Sequence, residues 1–240
     1  TKSDDTKSSE FFDATNYRVL ASNPSAHEGS KVEIVGQVFG DVERDEDGTF
    51  FQMWDDPKNS DWHTIVGYSG DVDIDSRDFV RIIGTTGEEF VGENAFGAEI
   101  TGVSVFADSV EIVDATAAGL PPTSVLDIGS TSNQNGVSIT VDKIEFTPDE
   151  ARVYLTVNND TNVNASFVDW NARAVQGSSQ FETEYTDYPE VQSVLLPGVE
   201  SSGVITFAGI NEAQPFKLVL EAGADDWDMD FEPYRFSIEP

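Results

Sequence analysis

Residues 31–43 read KVEIVGQVFGDVE, and the phase of this stretch decides the fold. Val32, Ile34, Gly36 and Val38 fall on alternate positions, with Lys31, Glu33 and Gln37 on the other phase. A period of two places the first set on one face of a β-strand and the second on the opposite face. Working outward, TFFQMW (49–54), WHTIVGY (62–68), DFVRIIGTTG (78–87) and SVFADSVEIV (104–113) read as further strands. Asp47-Gly48 between the first two is a hairpin signal. Only SEFFDATNYRVLAS (9–22) has helical spacing, with Phe12, Val19 and Leu20 as expected anchors and Asn23-Pro24 ending the run. The chain is therefore expected to be all-β with one short N-terminal helical segment.

The opening residues 1–9 are polar and without period, and read as a flexible tail. Residues 115–136, ATAAGLPPTSVLDIGSTSNQNG, are small, polar and broken by Pro121-Pro122. This is the composition of a connection between domains, and it divides the chain into residues 10–114, a linker at 115–124, and residues 125–240. The two halves share no internal repeat.

Composition limits the milieu and the chemistry. The 240 residues carry 45 Asp plus Glu against 13 Lys plus Arg, a formal charge of −32, yet 38% are hydrophobic and 11% aromatic. That is enough apolar material for a core, so the acidity belongs to a folded surface. Self-repulsion of this size destabilises a compact state in ordinary buffer. In molar salt the Debye length falls to roughly 3 Å and the repulsion is screened. An acidic, lysine-poor surface is the expectation for a salt-adapted organism; cation binding and acid adaptation are the competing readings. Without cysteine the chain has no disulfides, thiolate nucleophiles or Cys-ligated zinc. His27 and His63 are its two histidines, and neither lies in a nucleophile, zincin or phosphate-loop motif. Carboxylates are so many that no pair is singled out as a glycosidase dyad. The expectation is a protein that is not an enzyme. No stretch is long and apolar enough to cross a membrane as a helix.

Three sets of residues are candidate sites. DVDIDSRD (71–78) concentrates Asp71, Asp73, Asp75 and Asp78. An EF-hand loop counted from Asp71 would need glycine at position six and glutamate at position twelve, where Ser76 and Ile82 stand. The reading is a strand with Val72 and Ile74 inward and the acids in water; a weak site for calcium or another cation is the alternative. DDWDMDFE (225–232) repeats the pattern, with Trp227, Met229 and Phe231 expected inward. Trp54, Trp62 and Trp170 are the candidate binding aromatics, and Asn159 and Asn164 head two glycosylation tripeptides, Asn159-Asp160-Thr161 and Asn164-Ala165-Ser166.

The stretches NYRVLASNPSAHEGSKVEIVGQV (16–38), TFFQMWDD, TIVGY, DSRDFVRIIGTTGE and ADSVEIVD resemble, in order and pattern, the OB-fold domains of the tRNA-anti-like group found in exported bacterial and archaeal proteins. IGSTSNQNGVSITVDKIEF, VYLTVNND, SVLLPGVESSGVITFAGI and PYRFSIEP resemble the DUF4352 family, an immunoglobulin-like β-sandwich of exported proteins and lipoproteins. The resemblances imply an OB barrel over 10–114, a sandwich over 125–240, a cell-surface or secreted location, and a lipid anchor on a residue preceding Thr1. They name no activity. Many OB domains bind nucleic acid, but residues 10–114 hold 6 basic and 23 acidic side chains, a net of 6 − 23 = −17, where phosphate binding needs a basic groove. Nucleic acid is therefore not expected as a partner. The expected function is a binding or scaffold role, docking to an envelope protein or to further copies of the chain. The alternative is capture of an oligosaccharide, peptide or cation in the OB groove, and a third reading is a filament subunit that donates residues 1–10 as an added strand.

Overall fold

The computed structural model describes residues 10–55, 63–93 and 99–240, so the expected tail lies outside the described residues. The chain is all-β and divides into two compact units, residues 1–121 and 122–240.

The first unit is a barrel. Its strands are β1 (Phe11–Phe12), β2 (Lys31–Asp45), β3 (Gly48–Trp54), β4 (His63–Tyr68), β5 (Phe79–Thr86), β6 (Phe90–Glu93) and β7 (Glu99–Val113). β2 pairs with β3, β3 with β4, β4 in parallel with β7, β7 with β5, and β5 back with β2. Closure depends on β2 serving two neighbours: residues 31–37 face β5 and residues 37–45 face β3. The strand can turn this corner because a Cβ on Gly36 would stand 2.3 Å from the carbonyl oxygen of Trp54. The cycle of pairings returns to β2 and closes the sheet on itself. Val32, Ile34 and Val38 point inward, where they meet Phe51, Met53, Val66, Val80, Ile82, Val103 and Val105.

One helix, α1 (Tyr17–Ser22), packs on this core through Tyr17 and Leu20. The expected helix over 9–22 is shorter in fact, because Phe11–Phe12 pairs as a strand with Lys31–Val32. Phe12 is buried from that strand, whereas Val19 is exposed. Residues three apart share a helix face and adjacent ones do not, so Tyr17 with Leu20, not Val19 with Leu20, forms the inward pair.

DVDIDSRD is extended but not a strand. Ile74 is buried and Asp71, Asp73 and Asp75 face water, as the alternation requires, yet the backbone is held by a side chain. Arg44 Nη2 donates to the carbonyls of Val72 at 3.2 Å and Ile74 at 2.6 Å. The turn at Ser76–Arg77 then leads into β5.

The second unit is a sandwich. Its strands are β8 (Ser124–Gln134), β9 (Val137–Phe146), β10 (Glu150–Asn159), β11 (Ala165–Phe167), β12 (Arg173–Gln176), β13 (Ser179–Glu182), β14 (Val194–Leu195), β15 (Glu200–Ala208), β16 (Phe216–Leu220), β17 (Ala222–Ala224) and β18 (Tyr234–Ile238). Three sheets run β15-β10-β9-β8, β14-β11-β17 and β13-β12-β16-β18. Val137, Ile139, Val141, Ile144, Val153, Leu155 and Phe207 meet Phe216, Leu218, Leu220, Phe236 and Ile238 in one core. Half of the polar stretch at 115–136 is strand: β8 is an edge strand whose pairing slips between Asp127 and Ser130, so polarity from Ser124 onward marks an edge and not a connection. DDWDMDFE is also not a strand. Asp226 accepts from the Asp228 and Met229 amides, the chain turns, and Trp227 is fully exposed instead of inward.

Candidate functional site

On β3, Phe51 and Met53 face the barrel core, which sends Phe50, Gln52 and Trp54 outward. Pairing then builds a row across the outer face. Phe50 lies opposite Gly67 on β4, Gly67 opposite Phe106 on β7, Phe106 opposite Thr85 on β5, and Thr85 opposite Lys31 on β2. Directly opposed residues point to the same side of a sheet. Phe106 is 68% exposed and Phe50 36%. The Phe50 ring leans over Gly67, its Cε1 3.4 Å from where a Cβ would be, and the Phe106 ring lies over Gly87, its Cε2 2.7 Å from where a Cβ would be, so both aromatics stand on one outer face as a broken apolar strip.

Trp54 continues the strip along β3. Its ring stacks on Phe39 with centroids 4.2 Å apart and planes 10° from parallel, and His63 meets Phe39 edge-on. Burial holds the His63 imidazole below its ordinary pKa, and Nε2 is enclosed without a hydrogen-bond partner among the described residues. Beneath, the Tyr17 hydroxyl bonds Thr64 Oγ1, and its pKa is raised by burial and by the charge of Asp55. Several cations of the barrel are already engaged. Lys31 Nζ reaches Thr85 at 2.8 Å and Asp108 at 3.2 Å, Arg81 lies between Glu33 and Glu111, and Arg44 binds backbone carbonyls. The strip offers apolar contact and side-chain hydrogen bonds from Gln52 and Thr85, but no basic cradle.

Of the expected aromatics, Trp54 is on this face, Trp62 lies outside the described residues, and Trp170 belongs to the second unit, 66% exposed in a short turn whose carbonyl accepts from Arg173. Asp78 turns its carboxylate to the Asp75 amide at 2.8 Å. Among the described residues no group of three or more His, Cys, Asp or Glu is placed to hold a metal ion. The two glycosylation tripeptides differ. Asn159 is wholly buried; its Nδ2 donates to the carbonyls of Val163 and Leu195, both at 2.9 Å, and its Oδ1 accepts from Thr161. That amide is structural and closed to a glycan in the folded chain. Asn164 is half-buried and bonds Asp225 at the surface.

Two features were not singled out from the sequence. One is Phe106: with Val103 and Val105 inward, an aromatic on the opposite phase had to face water, and that was the available signal. The other is a charged layer on the outer face of the β15-β10-β9-β8 sheet. Arg152 Nε donates to Glu150 at 2.8 Å, and both side chains are almost fully buried. Lys143 Nζ donates to Glu145 at 2.6 Å and lies over the Tyr154 ring, whose hydroxyl donates to the same carboxylate at 2.8 Å. Burial alone would raise the Glu145 pKa, but the bonds from Lys143 and Tyr154 outweigh it and hold the carboxyl below its ordinary value. Tyr188, from the segment between β13 and β14, roofs the layer: its hydroxyl donates to Glu150 at 2.6 Å and its ring covers the Arg152 guanidinium.

No family model matches the chain, and no curated protein matches it. Among solved structures it is similar to a functionally unknown protein from Listeria monocytogenes EGD-e, with a TM-score of 0.35 and 9% identity over 41% of this chain and 73% of that one.

Proposed function

We propose that the chain is a non-enzymatic, cell-surface or secreted binding protein of a salt-adapted organism, which docks to an envelope protein or to a second copy through the outer face of its barrel. The observation that carries this reading is the Phe50–Gly67–Phe106 strip, which leaves aromatic side chains in water on an otherwise carboxylate-rich surface. Covering Phe106, 68% exposed, is worth about 1–2 kcal/mol and covering Phe50, 36% exposed, about 0.5–1 kcal/mol, and apolar contact of this kind survives the molar salt that screens charge. The net charge of −32 supports the salt-adapted milieu.

The test is lysine cross-linking with mass spectrometry on producing cells kept in their native salt. Lys31 stands at the end of the strip. Links from Lys31 to another envelope protein support docking and name the partner; links to copies of the same chain support self-assembly. Links from Lys143 and Lys217 with none from Lys31 count against the barrel face.

A second reading, capture of a small uncharged ligand, is favoured by the stacked Phe39–Trp54 pair beside the enclosed His63 Nε2. It predicts quenching of Trp54 fluorescence on titration with the ligand and loss of that response in Trp54→Phe.

A further inference from the structure

β15 is the edge strand of its sheet, yet its free edge is not bare. Residues 183–193 leave β13, cross to this edge and run beside it without forming a strand. The Glu184 amide donates to the Thr206 carbonyl at 3.1 Å, the Val204 amide donates to the Pro189 carbonyl at 2.8 Å, and the Gln192 amide donates to Ser201 Oγ at 2.9 Å. Contact is close enough that a Cβ on Gly203 would stand 2.2 Å from the Val191 nitrogen. Tyr188 plugs the charged layer, Val191 reaches the core, and the Thr206 hydroxyl, fully buried, has no hydrogen-bond partner among the described residues.

The electrostatics oppose this closure. Residues 183–193 carry Glu184, Asp187 and Glu190, all exposed, and no Lys, Arg or His. The cations of the layer beneath, Lys143 and Arg152, are neutralised by Glu145 and Glu150. Residues 122–240 hold 5 basic and 20 acidic side chains, a net of 5 − 20 = −15. A segment of charge −3 is thus pressed onto a body of its own sign, held by three hydrogen bonds along β15, by the Tyr188–Glu150 and Phe167–Ser193 bonds and by two buried side chains. The Debye length grows from roughly 3 Å in molar salt to roughly 30 Å at 0.01 M, so repulsion of this segment strengthens as salt falls. The β9–β10 pair, with nine paired positions either side of one bulge and its core side chains, has far more to hold it.

We propose that residues 183–193 are a salt-dependent strap: closed over β15 in high salt, and lifted at low salt before the rest of the sandwich unfolds. Lifting it bares the Val204 amide and the Thr206 carbonyl, an open strand edge to which an extended polypeptide segment can pair.

The test is residue-resolved hydrogen exchange of the whole chain from molar to millimolar salt. The expected result is that the Glu184, Gln192 and Val204 amides lose at least tenfold in protection at a salt concentration where β9 and β10 amides keep theirs. Glu184→Gln, Asp187→Asn and Glu190→Gln combined should restore that protection at low salt, and Gly203→Ala should abolish it even in molar salt. Strap and β9–β10 amides losing protection together, or strap amides staying protected at every salt concentration, would overturn the proposal. So would a triple variant that loses protection as the natural chain does, an outcome that can be read even where Gly203→Ala fails to fold.

Discussion

On the barrel, outward positions of the sheet hold Phe50 and Phe106 in water; on the sandwich, the outward positions Glu150 and Arg152 are buried beneath Tyr188. Each face inverts what its residue types ordinarily do. The inversion is cheap on the sandwich because every charge there has its counter-charge on the same or the next strand and Tyr188 completes the bonding of Glu150. On the barrel it is only partly relieved within the unit: the rings lie over glycines, and Phe106 keeps 68% of its surface exposed and Phe50 36%. An enclosed and satisfied layer stabilises its own unit, while an uncovered apolar one gains by meeting something else.

The largest effect should come from opening the sandwich layer. Arg152→Ala leaves Glu150 buried without its guanidinium and should cost about 3–5 kcal/mol, read as the midpoint of denaturant unfolding of the second unit. Replacing Arg152 and Glu150 together by leucine should recover most of that loss. A single variant as stable as the natural chain would mean the layer is not desolvated.

Next in size, Gly203→Val should destabilise the sandwich by about 1–3 kcal/mol through overpacking against the strap. Gly198→Val, in a turn with φ +75° and open space around it, should lose about 1–2 kcal/mol from backbone strain alone. Hydrogen exchange in molar salt distinguishes them, since only the Gly203 variant should also change exchange at Val204.

Acid should separate the two units. The His63 pKa is lowered by burial, so below its ordinary 6.5 the unfolded chain takes up a proton that the folded barrel resists. Barrel stability is then complete above that pH and is lost as pH falls through it. Glu145 is also lowered, so its contribution is complete above the ordinary 4.5 and is lost below it. Exchange measured between pH 7 and 4 should show the barrel weakening first, and His63→Gln should remove that step while Glu145→Gln leaves it in place.

The smallest effect on stability belongs to the strip. Phe106→Ser should shift unfolding by no more than about 0.5 kcal/mol, as exposed substitutions do, while weakening whatever the face docks to. A large loss of stability would show that Phe106 is packed in solution.

Much of the all-β architecture could be read from the two-residue period of β2 to β5 and β7, because a buried face imposes that period directly. It failed where the backbone is held by something other than a ladder. Arg44 anchors DVDIDSRD from another strand, and the Asp226 turn throws Trp227 outward, and neither contact leaves a local pattern. The helix was overextended because Phe12 is buried through strand pairing with Val32, twenty positions away in the chain. Trp54 was found as an aromatic on a strand, but the strip it belongs to depends on Phe50, Gly67 and Phe106 falling in register, which the pairing of three strands decides. The Arg152 layer was invisible for the same reason: lone charges on alternating strands read as a solvated face until Tyr188 is laid over them.

The most direct test of the contrast between the two faces is photo-cross-linking in producing cells, with a photoreactive phenylalanine at position 106 on the barrel strip or at the exposed position 131 on β8 of the sandwich. A specific partner band from position 106, absent from position 131 and lost when Phe50→Ser is added, is the predicted result. Equal labelling from both positions, or none from position 106, would contradict the assignment of the barrel face as the docking surface.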